Sequence, residues 1–300
     1  MKKVYCLLVL ITVIGSGSLK ACEICGCSTG NFYLGMVPKF NSKFIGIRYR
    51  SLHYRSQMQD NPSEFSNDYY KTMEIWGGWN LTKKWQVMTF IPYQMNQRYT
   101  DDGSKMSNGL GDITLLANYN IWNNGVSLVS QQFWIGGGVK LPTGRYKVDF
   151  NNPENNLGDP NGQTGTGSVD FLVNLNHTVT YWNWGLNTSA NYKINSTNPD
   201  QFRFGNRFSA NMLAYHRFTT RSFNIAPAIG SIYEHLNSNS YQDVDISVTG
   251  GYALLASAGL EMSYRKVALG VSLQSPLSQN FSDHQTTVKT RGLTHLTFTF

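Results

Sequence analysis

Apolar and polar residues alternate with a period of two along almost the whole chain from Ile45 onward. Between Gly185 and Ile194, for example, one face carries Leu, Thr, Ala, Tyr and Ile, while the other carries Asn, Ser, Asn and Lys. This alternation is typical of β-strands with one apolar face, and no helical period competes with it. It predicts an all-β fold of about twelve strands. We expect the strands near residues 45–55, 68–82, 85–99, 109–122, 126–142, 166–182, 185–196, 203–219, 223–237, 246–264, 267–279 and 289–300.

The connections between these strands alternate between long and short. The long, polar connections cover residues 56–67, 100–108, 143–165, 197–202, 238–245 and 280–288. The short ones cover residues 83–84, 123–125, 183–184, 219–222 and 265–266. A transmembrane barrel has this arrangement because its long loops face the outside and its short turns face the periplasm, whereas a soluble sandwich mixes the two lengths. The chain therefore predicts an up-and-down antiparallel transmembrane β-barrel with both ends in the periplasm.

Lipid forces such a sheet to close, because every backbone N–H and C=O group must be paired within the protein. We therefore expect the last strand, which ends in Leu296-Thr297-Phe298-Thr299-Phe300, to pair with the first. The terminal Phe on this strand resembles the signal that the barrel-insertion machinery of Gram-negative bacteria recognises. An ordinary amphipathic last strand is the alternative. Trp and Tyr residues recur near the strand ends and predict two interfacial girdles.

The composition agrees with a sheet that is apolar on one face only. Charged residues make up 14% of the chain, against about 25% in typical soluble proteins. Aromatic residues reach 13% and the mean hydropathy is −0.32. The net charge is +7, but the basic residues are scattered and no basic helix carries them, which argues against nucleic-acid binding. A cationic lumen, or contact with anionic sugars of the outer leaflet, accounts better for this charge.

The N-terminus has the layout of a secretory signal. Lys2 and Lys3 precede an apolar stretch from Val4 to Ile14, and small residues follow up to Ala21. We predict a signal peptide over residues 1–21, a periplasmic segment over residues 22–44 and a barrel over residues 45–300. The outer membrane of a Gram-negative bacterium is the expected location.

A cluster of Cys residues opens the predicted periplasmic segment, at Cys22, Cys25 and Cys27. Leu19-Lys20-Ala21-Cys22 resembles a lipobox, which would place a lipid on Cys22, although Lys20 departs from the usual small residue. The three thiolates would also suit a soft ion such as Cu(I) or Zn(II). A third interpretation is a disulfide formed in the oxidising periplasm, with one thiol left over. The sequence leaves these alternatives open.

Two glycine-rich motifs lie on consecutive strands. Gly109-Leu110-Gly111-Asp112 opens one strand, and the next strand ends in Lys140-Leu141-Pro142-Thr143-Gly144. We expect Gly109 and Gly111 to let the backbone bend, and Pro142 to end a strand because it lacks a ladder donor. Gly144 permits the turn into the longest outer loop. Judged from their chemistry alone, these motif residues have structural roles.

These motifs resemble the outer-membrane channel family associated with the meta-pathway of phenol degradation. The motif match covers roughly residues 109–144, and the strand pattern extends the similarity over most of the mature chain. The resemblance implies an outer-membrane barrel that passes small molecules, including hydrophobic or aromatic ones.

Charged residues fall on inward-facing positions of several predicted strands. The predicted lumen charges are Arg48, Arg50, Glu74, Asp112, Lys140, Asp170, Lys193, Arg203, Arg207, Arg217 and Glu261. They indicate either an interior plugged by ion pairs or a cationic lumen that weakly selects anions. Conductance distinguishes these two possibilities.

We do not expect an enzyme. None of the His residues lies in a Gly-x-Ser-x-Gly elbow or a His-Glu-x-x-His pair. The segment from Asn151 to Gly165 lacks the ligand spacing of a calcium loop, and a flexible outer loop is the better interpretation.

The expected function is therefore that of a monomeric channel or transporter for small molecules, hydrophobic or anionic. Its partners are outer-membrane lipids, the insertion machinery and a solute, with no nucleic acid. The alternative is a non-conducting binding or structural protein with a metal-handling Cys segment, and the third is an outer-membrane hydrolase.

Overall fold

A computed structural model gives the structure of this chain. It describes residues 42–57, 65–101, 103–125, 128–148 and 160–300. The predicted signal peptide and the Cys cluster at Cys22, Cys25 and Cys27 lie outside the described residues.

Twelve antiparallel strands form a single closed sheet in which each strand pairs with its neighbours in sequence. Their bounds are β1 Phe44–Gln57, β2 Phe65–Asn80, β3 Trp85–Thr100, β4 in two segments Gly103–Leu110 and Thr114–Asn123, β5 Val129–Lys140, β6 Asp170–Tyr181, β7 Trp184–Ile194, β8 Arg207–His216, β9 Phe223–Leu236, β10 Gly251–Tyr264, β11 Val267–Phe281 and β12 Arg291–Thr299. The predicted fold class and strand number are confirmed.

The sheet closes between β12 and β1. Their register runs from Phe44 opposite Thr299 to Ser51 opposite Gly292, and β12 pairs with β11 on its other side. A short segment, Thr286–Val288, continues this seam between β1 and β11. The closed sheet leaves no strand edge within it, as the lipid environment requires.

The two faces of the wall have opposite character. On β1, the outward Ile45 and Ile47 are about half exposed at 53% and 51%, whereas the inward Arg48 and Arg50 are buried. Soluble proteins bury their apolar side chains, so an apolar exterior around a charged interior fits a barrel surrounded by lipid. In the described part of the chain, no helix has the length and apolarity needed to cross a membrane.

The wall has an uneven height. β2 and β3 each have 16 residues, whereas β8 has 10 and β7 has 11. Spanning a bilayer takes about 9–11 residues per strand. All turns at the end where the chain enters are short, so the extra length of β2 and β3 extends the opposite end, which carries the long connections. We call these the short-turn end and the long-loop end.

Several predicted strand ends were wrong at the long-loop end, and β10 begins at Gly251 although residues 246–250 were expected in it. Residues 103–108 were expected in a loop, but Gly103–Leu110 pairs with β3 and extends its hairpin. Residues 203–206 were expected in β8, but Phe202–Arg203 pairs instead with Ser240–Tyr241 in a small sheet outside the barrel. The third strand of that sheet is Val244–Asp245.

Between mid-height and the short-turn end, inward side chains lie flat over glycines of the neighbouring strand. A Cβ on Gly78 would lie 2.5 Å from a ring carbon of Phe44, and one on Gly138 would lie 2.2 Å from Leu116 Cδ2. Further pairs of this kind are Gly46 with Trp76, Gly185 with Tyr215 and Gly270 with His295. The missing Cβ atoms make room for large side chains within a narrow barrel.

Candidate functional site

A belt of buried ion pairs crosses the interior at mid-height. On one side, the Lys140 ammonium on β5 lies 2.6 Å from Asp112 and 2.9 Å from Asp170. Lys193 on β7 lies 3.6 Å from Asp170. The period-two pattern aims these side chains inward, and neighbouring strands place opposite charges next to one another.

The other side of the belt centres on Glu234 of β9. Arg207 donates to it at 2.9 Å and Arg291 at 2.8 Å, so one carboxylate holds two guanidinium groups. Arg291 also donates to the Tyr54 hydroxyl at 2.9 Å. Glu234 is fully buried, and an ionised carboxylate in that position depends on its charged partners.

A third group joins β1 and β2. Glu74 accepts a hydrogen bond from Arg48, and Arg50 lies 3.6 Å from its second oxygen. The Arg48 guanidinium also lies over the Trp76 ring, 5.2 Å from its centroid. Because all the belt residues are buried, side chains occlude the lumen at this height. This arrangement favours the interior plugged by ion pairs.

Asp112 links the wall to the long connection between β5 and β6. Its Oδ1 accepts the Gly144 amide at 2.9 Å, and its Oδ2 accepts the Thr166 amide at 2.9 Å. Residues 144 and 166 belong to opposite ends of this connection. A single carboxylate, itself paired with Lys140, therefore holds both ends of the loop against the barrel.

The remaining motif residues complete this clasp. The Thr143 hydroxyl donates to the Gly111 carbonyl at 2.9 Å and accepts the Ile113 amide at 2.9 Å. A Cβ on Gly144 would lie 2.7 Å from Gly165 Cα, so the two loop ends need glycine to meet this closely. Pro142 lies two residues beyond the end of β5 at Lys140.

Residues 160–168 of the clasped loop pack against the inner wall at the long-loop end. The Asn96 side chain on β3 donates to the carbonyls of Gly162 and Gln163 at 3.2 and 3.1 Å. The next long connection packs against it, since the Asn198 side chain donates to the Thr166 carbonyl at 3.0 Å. The loop residues Asn161, Gln163, Thr164, Thr166 and Ser168 are buried. Polar contacts therefore hold the described part of this loop inside the long-loop end of the lumen.

The structure places most of the predicted lumen charges in the belt, with two exceptions. Arg203 was predicted in the lumen, but it is exposed on the small outer sheet and donates to Ser240 at 3.2 Å. The prediction was wrong because it extended the period-two pattern to residues before Arg207, where β8 begins. Arg217 lies just beyond the end of β8, partly exposed beside Tyr215.

Sequence analysis missed Glu234, Arg291 and His295, which are all buried inside the barrel. Glu234 shares the inward face of β9 with Ile232 and Ala228, so the alternation of that strand contained the signal. Arg291 begins β12, at the seam where its partner strand is distant in sequence. His295 lies 3.8 Å from the predicted lumen residue Glu261.

Among the residues that the structure describes, no three His, Cys, Asp or Glu side chains form a group suited to a metal ion. The predicted ligands Cys22, Cys25 and Cys27 lie outside that part of the chain and stay a prediction, as does the lipid on Cys22.

A family model described as "Putative MetA-pathway of phenol degradation" matches residues 88–274. This chain belongs to that family. The matched range contains both motifs, the clasp and most residues of the charge belt. The family resemblance predicted from residues 109–144 is confirmed.

Two solved structures of the same fold support the architecture. An outer membrane channel from Pseudomonas putida F1 is 12% identical, with a TM-score of 0.64 over 91% of this chain and 100% of that chain. The β domain of the Bordetella autotransporter BrkA is 11% identical, with a TM-score of 0.52 over 87% of this chain and 100% of that chain. No curated protein sequence matches this chain. At these identities the similarity concerns the fold.

Proposed function

We propose that this protein is a gated outer-membrane channel for small organic solutes. The observation that carries the proposal is the way in which the long-loop end is closed. A loop held by hydrogen bonds and by one carboxylate lies in the mouth, and the same carboxylate, Asp112, belongs to the ion-pair belt that occludes the lumen below it. Such polar contacts exchange with water more readily than packed apolar side chains do.

The location follows from the exterior of the barrel. Its outward face is apolar and exposed over the length of the strands, and lipid is the environment that such a surface requires. The short turns, the start of β1 and the end of β12 share one rim, which we propose faces the periplasm. The long connections would then face outside, as is usual for such barrels.

The chemistry of the lumen favours solutes that combine an apolar body with a negative charge. Basic side chains outnumber carboxylates in the belt, with Arg48, Arg50, Lys140, Lys193, Arg207 and Arg291 against Glu74, Asp112, Asp170, Glu234 and Glu261. Apolar clusters flank the belt on both sides, including Tyr54 and Tyr70 above it and Trp76 and Phe90 below it. A purely apolar solute would have to displace charged groups from their partners, which is unfavourable.

The clasp gives the sharpest test of gating. In planar bilayers we expect the wild-type chain to open rarely and Asp112→Asn to raise the open fraction about tenfold or more, because a charge-assisted hydrogen bond contributes about 1.5–3 kcal/mol. Asp68→Asn is the matched control. Asp68 is also buried, but its charged partner, Arg98, lies on the adjacent strand and not on the loop.

Two outcomes would contradict the proposal. If both variants fold, as shown by heat-modifiable migration in electrophoresis, and none of the three proteins ever conducts, the protein is a binding or structural barrel. If Asp68→Asn opens the channel as much as Asp112→Asn does, the loop clasp is not the gate.

The Cys cluster supports a second proposal, a periplasmic metal-handling segment over residues 22–44. Purified full-length protein should then retain Cu or Zn, and the Cys25→Ser, Cys27→Ser variant should lose it. Equal metal content in the two proteins would overturn this. The intact mass of the mature chain would separately report signal cleavage, a lipid on Cys22 and any disulfide.

A further inference from the structure

The rim at the short-turn end is unusual in its charge. Its turns and the chain entry carry Lys43, Lys83, Lys84, Arg221, Arg265 and Lys266, while the described residues of these turns include no Asp or Glu. At the long-loop end, by contrast, acidic residues occur in most connections, including Asp101, Asp200, Asp243 and Asp283. Among the described residues, the turns of the short-turn rim therefore carry positive charge alone, whereas the long-loop end carries both signs.

The basic residues gather on one arc of this rim. The turn between β10 and β11, the paired ends of β12 and β1, and the turn between β2 and β3 follow one another around the barrel. Backbone bonds join them, since the Thr299 amide donates to the Lys266 carbonyl at 2.8 Å and the Phe300 amide donates to the Lys43 carbonyl at 3.0 Å. We call this stretch the cationic arc.

Aromatic rings on the outer wall lie beneath these cations. The Lys43 ammonium lies 4.6 Å from the centre of the Trp79 ring, and the Arg265 guanidinium lies 5.3 Å from that of Tyr264. Both rings are about half exposed, and Trp79 also contacts Phe300. Aromatic rings of this kind settle at the boundary between lipid tails and headgroups. Positive charges directly above them therefore lie at the height of lipid phosphates.

The opposite arc of the same rim has the rings without the charges. The turns between β4 and β5 and between β6 and β7 bear Trp122, Trp182 and Trp184, all well exposed, and the described residues of both turns include no charged side chain. A uniform girdle that merely positions the barrel would have no reason to concentrate its cations on one side. Among the described residues, basic side chains and exposed rings occur together in the cationic arc and in the adjacent turn between β8 and β9, but not in these two turns.

We propose that the cationic arc is a binding surface for anionic phospholipids, which it selects over zwitterionic ones by their unneutralised phosphate. Coulomb attraction to several cations at headgroup height favours the anionic lipid, while a zwitterionic headgroup brings its own cation. The apolar ring surfaces accept the upper part of the acyl chains. In the orientation proposed above, these lipids belong to the periplasmic leaflet, although the selectivity itself does not depend on the orientation or on conduction.

Quenching of Trp fluorescence by brominated lipids tests this selectivity on the full chain in vesicles. In equal mixtures of phosphatidylglycerol and phosphatidylcholine at low salt, we expect brominated phosphatidylglycerol to compete about fivefold better, the factor that one cation near an anionic surface provides. The preference should fall towards one at high salt, because exposed charges are screened.

A pair of charge-matched variants localises the effect. Lys83→Gln, Lys84→Gln, Arg265→Gln and Lys266→Gln combined should abolish the preference. Arg55→Gln, Lys105→Gln, Lys147→Gln and Lys289→Gln combined remove the same charge from exposed positions towards the long-loop end and should retain it. Equal quenching by the two lipids in the wild type would overturn the proposal. An acidic protein would then be the better candidate for the partner of the arc. Equal loss in both variants would also overturn it, since net charge alone would then explain the preference.

Discussion

The two halves of the lumen are filled by different means. Towards the long-loop end, the interior is closed by ion pairs and by a loop that Asp112 fastens to the wall. Towards the short-turn end, aromatic, aliphatic and carboxamide side chains lie over glycines of the adjacent strands. The first kind of closure depends on a few charged contacts and is open to change by one substitution. The second depends on shape, and it fixes how the wall itself is packed.

The largest expected effect tests the charged half. Glu234→Gln leaves Arg207 and Arg291 without their shared carboxylate in a buried setting, which should lower the free energy of unfolding by about 3–5 kcal/mol. Reversible urea unfolding in vesicles measures this loss. Glu261→Gln is the control, because the ion pair of Glu261 with His295 spans 3.8 Å and should contribute less. Equal losses would show that the belt does not depend on charge pairing.

A smaller effect tests the half that is packed by shape. A Cβ on Gly138 would lie 2.4 Å from the Leu115 carbonyl oxygen and 2.2 Å from Leu116 Cδ2, so β4 must shift. We expect Gly138→Ala to lower the free energy of unfolding by about 1–3 kcal/mol. Gly137→Ala on the same strand is the control, since its nearest neighbour would be 3.8 Å away. If both glycines tolerate Ala equally, glycine has no packing role here.

The smallest effect concerns the clasp at the long-loop end. Thr143→Val removes the hydroxyl that bonds Gly111 and Ile113, and it should lower the free energy of unfolding by about 1 kcal/mol. The same measurement on Thr100→Val, whose hydroxyl makes a longer exposed bond of 3.3 Å, gives the baseline. A loss at Thr143 no greater than at Thr100 would mean that the motif holds the loop through Asp112 alone.

The sequence was sufficient to predict the barrel, but not the loop contacts at the long-loop end of its lumen. Alternation along each strand and the seam between the first and last strands follow from the lipid environment, so both were predictable. The same alternation identified Lys140, Asp112 and Asp170 as inward-facing residues. It did not predict the bond from Asp112 to the Thr166 amide, because no period relates a strand residue to a loop that folds back from 54 residues away.

Arg203 and Arg217 were misplaced for the same reason, because the alternation of β8 was extended past both of its ends. At Arg203 the chain pairs with Ser240–Tyr241 instead. Glu234 was missed although its parity marks it as inward. A strand pattern assigns a face to each residue, while the point at which the strand leaves the barrel depends on its partners.

The uneven strand lengths make one side of the barrel wall taller than another. The hairpin of β2 and β3 stands taller than β7 and β8 by about five residues of strand, which is on the order of 15 Å. On the tall side the strands themselves form the rim of this end, whereas on the low side the connection over residues 195–206 and the small outer sheet form it. Neighbouring molecules in a membrane would therefore meet strands on one flank of the barrel and loops on another.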